Sequence, residues 1–164
     1  CLMTAQIANG GYKIYPKIVL KKYDEDLKED KFQPLVKNSK NIKIVQEAMF
    51  SSTNEVRGTS YRSRIDDPKY QFAGKTGTAQ VKRITKQDRE LDLKTLEIPY
   101  EERDHALYVA YGPYRNPRYA VSILVEHGGS GSSVAAPIAK KLFKKIIDRH
   151  QIRKDFNSKK YLDI

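Results

Sequence analysis

The sequence predicts an α/β protein of the α+β type, in which an antiparallel sheet is flanked by helices. Residues 106–111 and 119–126 are rich in β-branched and aromatic residues and are separated by a short polar turn, so they predict an antiparallel hairpin. Residues 71–81 predict a third strand that pairs with the first strand of this hairpin. Apolar residues recur at helical spacing at 42–51 and 134–150, and the second of these helices is expected to cover one face of the sheet.

The first part of the chain is predicted to contain a short helix followed by an irregular connection. The helix at residues 2–8 ends at Asn9-Gly10-Gly11, because glycine readily adopts the left-handed conformation that closes a helix. Pro16 limits residues 12–20 to a short or edge strand. Residues 21–41 are charged and lack clear periodicity, which indicates an exposed connection with a weak hairpin at most.

Three further segments lie around the predicted strands. Residues 82–104 are dense in charge and are broken by Pro99, so they form either a functional flap or a disordered excursion. Glycines and serines at 128–133 predict a flexible turn before the last helix. That helix carries one continuous apolar stripe with lysines opposite, and residues 152–164 predict a frayed basic tail.

The composition is that of one soluble domain, or a large piece of one. The chain has 164 residues, 39% hydrophobic and 31% charged, with a formal net charge of +11. This charge favours anionic surfaces, but without a long basic run it more simply indicates a lysine-rich solvated surface. The lone Cys1 excludes an internal disulfide. Because the chain opens in mid-pattern, we expect it to be a C-terminal piece of something longer.

The candidate functional site is the strand predicted at residues 71–81. Thr76 and Thr78, two positions apart, project from the same face of a strand, and Lys75 supplies a positive charge beside them. Gly77 removes a side chain that would block an approaching ligand. An extended ligand that bears a carboxylate could therefore lie along this edge. Simple alternation places Lys75 on the opposite face, so a shared site requires the strand to border a cleft.

Other classes of site are less well supported by the sequence. A phosphate-binding loop would need glycine at position 69, which is Lys69. A nucleic-acid-binding module would explain the positive charge, but no recognisable reader motif is present. The histidines His105, His127 and His150 are too scattered, with a single cysteine, to predict a metal site, and no cofactor is expected. His105 is expected to pack at the entrance of a strand.

Lys75-Thr76-Gly77 matches the third of the three motifs of penicillin-binding proteins and serine β-lactamases, which are S-x-x-K, S-x-N and K-T-G. The rest of the chain resembles the last part of the transpeptidase domain of class B penicillin-binding proteins, most closely the elongation-type members. The matching segments are, in order, Ala8-Asn-Gly-Gly11 with Pro16, Gly74-Lys-Thr-Gly-Thr-Ala-Gln80, Asp104-His105 with Gly112-Pro113, Asn116-Pro117 with Glu126-His-Gly-Gly129, and Ala135-Ala-Pro-Ile138.

The resemblance implies an incomplete transpeptidase domain over residues 1–151. In this family a serine attacks the D-Ala carbonyl of a peptidoglycan stem peptide, and the acyl-enzyme is passed to an amine of a neighbouring strand. β-Lactams acylate the same serine. By this resemblance Lys75 would neutralise charge and support proton movement, while Thr76 and Thr78 would bind the substrate carboxylate. The backbone N–H of Thr78 would form one arm of the oxyanion hole, and Gly77 would let the substrate lie against the strand.

The departures from the family pattern limit what this chain is expected to do. No serine is followed by lysine three positions on, so the nucleophile is missing and the chain alone is predicted to be inactive. The runs Ser39-Lys40-Asn41 and Ser52-Thr53-Asn54 fit S-x-N but lie too close to the third motif, and we interpret both as chance matches.

The resemblance also implies where the parent protein acts and with what. A periplasmic domain anchored in the inner membrane is expected, together with partners among the membrane proteins of the elongation machinery. No nucleic acid partner is expected. With half of its domain missing, the fragment should expose apolar surface and self-associate. A non-catalytic wall-binding or scaffold domain of the same fold remains the alternative.

Overall fold

The computed structural model describes residues 1–16, 21–22, 25–26, 33–83 and 94–160. Its main sheet has three antiparallel strands in the order β3 (Ala73–Ala79), β4 (His105–Gly112) and β5 (Tyr119–Val125). The predicted strand order is therefore confirmed, and β3 lies at one edge of this sheet. Two very short strands, β1 (Lys21–Lys22) and β2 (Glu25–Asp26), pair antiparallel, which is the weak hairpin expected in this region.

Three helices accompany the strands in the described part of the chain: α1 (Leu2–Ala8), α2 (Ser39–Asn54) and α3 (Ala136–Lys160). The predicted bounds of α2, 42–51, were too short at both ends. At its start the Asn38 side chain accepts a hydrogen bond from the Lys40 N–H, an N-cap that the apolar pattern does not reveal. At its end Thr53 and Asn54 continue the helix, and their side chains bond to Gly74 and Phe72, as described below.

The beginning and end of α3 also differ from the prediction. A π-helical turn, Gly131–Ala135, replaces part of the predicted flexible turn, and the Ser130 side chain accepts from the Ser133 N–H to cap it. The helix continues to Lys160 instead of fraying from residue 152. Neither glycine nor proline occurs between His150 and Lys160, so no residue there breaks the helix.

The main core lies between α3 and one face of the sheet. Phe143 of α3 is fully buried and stacks on Phe72 with ring centroids 4.9 Å apart, and Tyr108 and Ala110 of β4 belong to the same cluster. The α3 stripe is less continuous than predicted, because Ile138 and Leu142 remain 39% and 37% exposed. The apolar stripe of α3 is wider than the part of the helix that contacts the sheet, and these two residues lie at its margin.

The opposite face of the sheet packs less completely against α1 and α2. Met49, Ala73 and Tyr111 are buried there, yet Met3 and Ile44 are 62% and 63% exposed. The predicted exposure of apolar surface is found on this face. No helix in the described residues is long and apolar enough to cross a membrane.

Four predicted segments, 12–20, 21–41, 82–104 and 152–164, lie partly outside the described residues. Of the predicted strand at 12–20, the structure shows an isolated bridge between Tyr12 and Pro34, and residues 17–20 are not described. Of the predicted flap at 82–104, the structure describes 82–83 and 94–104, including a short 3-10 turn at Tyr100–Glu102.

Candidate active site on the edge strand

Strand β3 is buried at its beginning and becomes exposed toward its end. Ala73 and Gly74 at its beginning are buried, Thr76 and Gly77 are half-buried, and Lys75 and Thr78 are exposed. The strand is shorter than the predicted 71–81, but it contains all four residues singled out from the sequence. These residues therefore lie where the strand leaves the core.

The free edge of β3 can be identified from the bonds that its backbone makes outside the sheet. The Phe72 carbonyl accepts from Asn54 Nδ2 at 2.9 Å, and the Gly74 N–H donates to Thr53 Oγ1 at 3.1 Å. Backbone groups of every second residue in an antiparallel strand point to the same side. The N–H of Thr78, two residues beyond Thr76, therefore points to this same free edge, away from β4.

Lys75 and Thr76 meet at this edge although their side chains start on opposite faces. Lys75 Nζ donates to the Thr76 carbonyl oxygen at 2.9 Å and to Thr76 Oγ1 at 3.3 Å. The lysine chain is long enough to pass around the strand, because no other described strand pairs with β3 on this side. The difficulty posed by simple alternation is thus removed by the position of β3 at the edge of the described sheet.

Two further hydroxyl groups extend this polar cluster. Thr59 Oγ1 lies 3.5 Å from Thr76 Oγ1, and Ser52 Oγ lies 3.2 Å from Thr59 Oγ1. The hydroxyls of Ser52, Thr59 and Thr76 thus form a row that ends at the Lys75 ammonium. Sequence reasoning did not find Ser52 or Thr59 as site residues, because only the fold brings them beside β3.

A second, buried set of hydroxyls lies beneath the start of β3. Tyr108 OH lies 2.9 Å from Thr53 Oγ1 and 3.0 Å from Ser60 Oγ, and all three side chains are buried. Burial raises the pKa of the Tyr108 hydroxyl, which therefore stays neutral and hydrogen-bonding. Gly74 is required at this point, because a Cβ there would lie 2.3 Å from Tyr108 OH.

The far end of β3 adjoins a pair of histidines. The His127 N–H donates to His105 Nδ1 at 2.9 Å, and the two rings lie 4.8 Å apart. His127 Nδ1 is 3.1 Å from the Arg103 carbonyl oxygen, which makes it the donor of that bond. His105 is therefore part of the packing at the entrance of β4, as expected. The described residues contain no cluster of three or more His, Cys, Asp or Glu side chains that could hold a metal ion.

Comparison with known proteins identifies relatives of this chain. A family model described as the penicillin binding protein transpeptidase domain matches residues 2–144. The peptidoglycan D,D-transpeptidase MrdA of Salmonella typhimurium is 37% identical over 105 residues, which are 64% of this chain and 16% of that protein. The chain therefore spans about one sixth of this relative's length.

Solved structures agree with this relationship. PBP2 from Pseudomonas aeruginosa is 32% identical, with a TM-score of 0.66 over 87% of this chain and 28% of that chain. PBP2 from Helicobacter pylori, solved in a complex with MreC, is 28% identical, with a TM-score of 0.68 over 88% of this chain and 23% of that chain. The chain belongs to the penicillin-binding protein transpeptidase family.

Proposed function

We propose that this chain is the C-terminal part of the transpeptidase domain of an elongation-type peptidoglycan D,D-transpeptidase. The observation that carries the proposal is the free edge of β3, where the Lys75 ammonium contacts the Thr76 hydroxyl and toward which the alternation of the strand directs the Thr78 N–H. Family membership and the MrdA relative support the same reaction class. The parent enzyme would cross-link stem peptides through an acyl-serine, with the serine supplied by residues outside this chain.

Each residue of the edge has a physical role in this proposal. The hydroxyls of Thr76 and Thr78 donate to the terminal carboxylate of the stem peptide, and these bonds are strengthened by the charge of the acceptor. Lys75 neutralises the same charge and supports proton movement around the missing half of the site. Gly77 places no side chain between the strand and the substrate backbone.

The Thr78 N–H acts in the transition state. It donates to the oxygen that becomes negatively charged when the serine attacks, and a single donor of this kind contributes about 3–4 kcal/mol. β-Lactams, which carry a carboxylate and a reactive carbonyl, would occupy the same edge and acylate the same serine. The chain alone lacks S-x-x-K and is proposed to be inactive.

A partner and a location are also proposed for the parent protein. The H. pylori PBP2 is named as a complex with MreC, so a protein of that type is proposed as a partner here. An inner-membrane anchor outside this chain would place the domain in the periplasm. The apolar groove beside α1 and α2, of about 410 Å³, would be covered by the rest of the domain in the parent, and the isolated chain would self-associate through it.

Labelling of the full-length parent protein with a fluorescent penicillin tests the proposal. We expect Lys75→Ala to abolish labelling while the unfolding temperature stays unchanged, because Lys75 is exposed and bonds only to Thr76 in the described contacts. Lys145→Ala, on the exposed face of α3, is the matched control and should label normally. Normal labelling of Lys75→Ala would contradict the role assigned to this lysine.

A further inference from the structure

The last turn of α2 and the turn that follows it contact β3 at every second residue. Asn54 Nδ2 donates to the Phe72 carbonyl at 2.9 Å, Thr53 Oγ1 accepts from the Gly74 N–H at 3.1 Å, and Thr59 Oγ1 lies 3.5 Å from Thr76 Oγ1. The backbone groups of alternate residues point to the same edge, so the bonds to Phe72, just before β3, and to Gly74 lie on the free edge, and the side-chain contact at Thr76 continues the series toward the exposed site.

Thr53 is the central contact of this series. Its side chain is fully buried, and its hydroxyl lies within 3.4 Å of Ser60 Oγ and 2.9 Å of Tyr108 OH in addition to its bond from Gly74. The Tyr108 ring packs against Gly74, where a side chain would otherwise stand. The hydroxyl cluster therefore contacts the strand in two ways, through the Gly74 N–H and through this ring. A buried hydroxyl cluster of this kind is rigid when its members satisfy one another.

Strand β3 changes from buried to exposed directly after the residue that the hydroxyl cluster contacts. The contacts with buried α2 side chains end at Gly74, and the next residue is Lys75, the first residue of the candidate site. A catalytic group must be held within about 0.5 Å of its productive position by supporting residues. On the side of β3 away from β4, Gly74 is the last backbone position bonded to a buried α2 side chain, and it lies two residues before Thr76.

We infer that Thr53 is a positioning residue that acts through the Gly74 backbone to hold the carboxylate- and oxyanion-binding edge of β3 in its productive place. This inference rests on the function proposed above for that edge. Thr53 itself touches neither substrate nor serine in this arrangement. The run Ser52-Thr53-Asn54, which fits the S-x-N pattern only by chance, thereby acquires a role that its sequence pattern does not indicate.

The experiment uses the full-length parent protein and four variants. Thr53→Val keeps the side-chain shape and removes the hydroxyl, whereas Thr53→Ser keeps the hydroxyl. Ser51→Ala is the matched control, because Ser51 Oγ donates to Glu55 Oε1 on the exposed side of the same helical turn. Ile147→Ala, at a buried position of α3, lowers stability and removes no hydroxyl group.

Two quantities are measured for each variant. The first is the second-order rate constant of acylation by a penicillin, per folded molecule, well below the unfolding temperature. The second is the hydrogen-exchange rate of the Gly74 and Thr76 amides. We expect Thr53→Val to slow acylation about tenfold, the effect of losing about one hydrogen bond, and to speed exchange at Gly74. Thr53→Ser should restore acylation to within about twofold of wild type.

Other outcomes separate positioning from stability. If Thr53→Val is acylated as fast as wild type although it unfolds at a lower temperature, or if Thr53→Ser does not restore the rate, the inference is wrong. Ile147→Ala should lose stability and keep the wild-type acylation rate, and an equal loss of rate in this control would also overturn it.

Failure of the proposed function gives a different result. A wild-type parent that is not acylated at all would overturn the function proposed for the edge, whatever the variants do. The exchange rates then decide whether Thr53 holds the strand: faster exchange at Gly74 in Thr53→Val supports this part of the inference, and unchanged exchange overturns it.

Discussion

The two halves of β3 differ in what holds them. The first half, around Gly74, is buried and is bonded on one side to β4 and on the other to the end of α2. The second half, around Thr78, keeps its pairing with β4 but is exposed at its free edge. One strand thus combines an anchored beginning with an open end, and the anchored part places the open part at the surface.

This difference separates stability from activity. Substitutions in the anchored half should disturb packing and lower stability, whereas substitutions in the open half should weaken ligand binding and leave stability nearly unchanged. Two further predictions test this separation, and a third, with the smallest expected effect, concerns the segment that leads into β3.

Gly74→Ala should have the largest effect on stability. The added Cβ would lie 2.3 Å from Tyr108 OH and 2.5 Å from the ring carbon that bears it, so the ring or the strand must move. Overpacking of this kind costs about 1–3 kcal/mol. Denaturant unfolding of the parent protein measures the loss, and Gly77→Ala is the matched control, since its Cβ would meet only Leu107 Cβ at 3.3 Å. Equal losses in both variants would remove the distinction between the two halves.

Thr78→Val should leave stability within about 0.5 kcal/mol of wild type, because the side chain is exposed. The variant loses a hydroxyl that is proposed to bind the substrate carboxylate. We expect the apparent affinity for a penicillin to fall about tenfold, as for the loss of one charge-assisted hydrogen bond. Titration with the penicillin at fixed times measures this change. A loss of stability without a loss of affinity would assign Thr78 to the anchored half.

The residues just before β3 make a polar contact with α3 that is expected to depend weakly on pH. Tyr70 OH donates to Asp148 Oδ1 of α3, with Lys69 Nζ 3.5 Å away, and the Tyr70 hydrogen bond and then Lys69 hold the pKa of Asp148 below its usual value. A lowered carboxyl pKa stabilises the fold above the unfolded-state pKa, and this contribution is lost as the pH falls through the folded-state pKa. We therefore expect Asp148→Asn to lower the unfolding temperature slightly at pH 7.

The same difference between wild type and Asp148→Asn should shrink as the solution is acidified below about pH 4, near the ordinary carboxyl pKa. Arg64 and Asp66, an ion pair with Asp66 82% exposed, offer a control through Asp66→Asn, for which little change is expected at any pH. If the difference in unfolding temperature between wild type and Asp148→Asn grows in acid, the expected direction of the pH dependence is wrong.

Much of the architecture could be predicted because it depends on local patterns. Two segments rich in β-branched and aromatic residues around a short polar turn predicted the β4–β5 hairpin, and the apolar stripe of α3 predicted that this helix covers one face of the sheet. The candidate site residues Lys75, Thr76, Gly77 and Thr78 could be proposed from the sequence because they form one motif within a few positions. The start of α2 was missed because its cap depends on a side-chain hydrogen bond, and the end of α3 was missed although no glycine or proline interrupts the helix there.

The sequence by itself determined the sheet order, the family and the strand that carries the candidate site, since these depend on residues that lie close together along the chain. Only the tertiary structure decided which side of β3 is free, how Lys75 reaches Thr76, and that Thr53, Ser60 and Tyr108 support Gly74. Thr53 and Tyr108 are 55 positions apart in the chain, yet their hydroxyls lie 2.9 Å apart. Contacts at such separations arise from packing of α2 against the sheet, which no local pattern encodes.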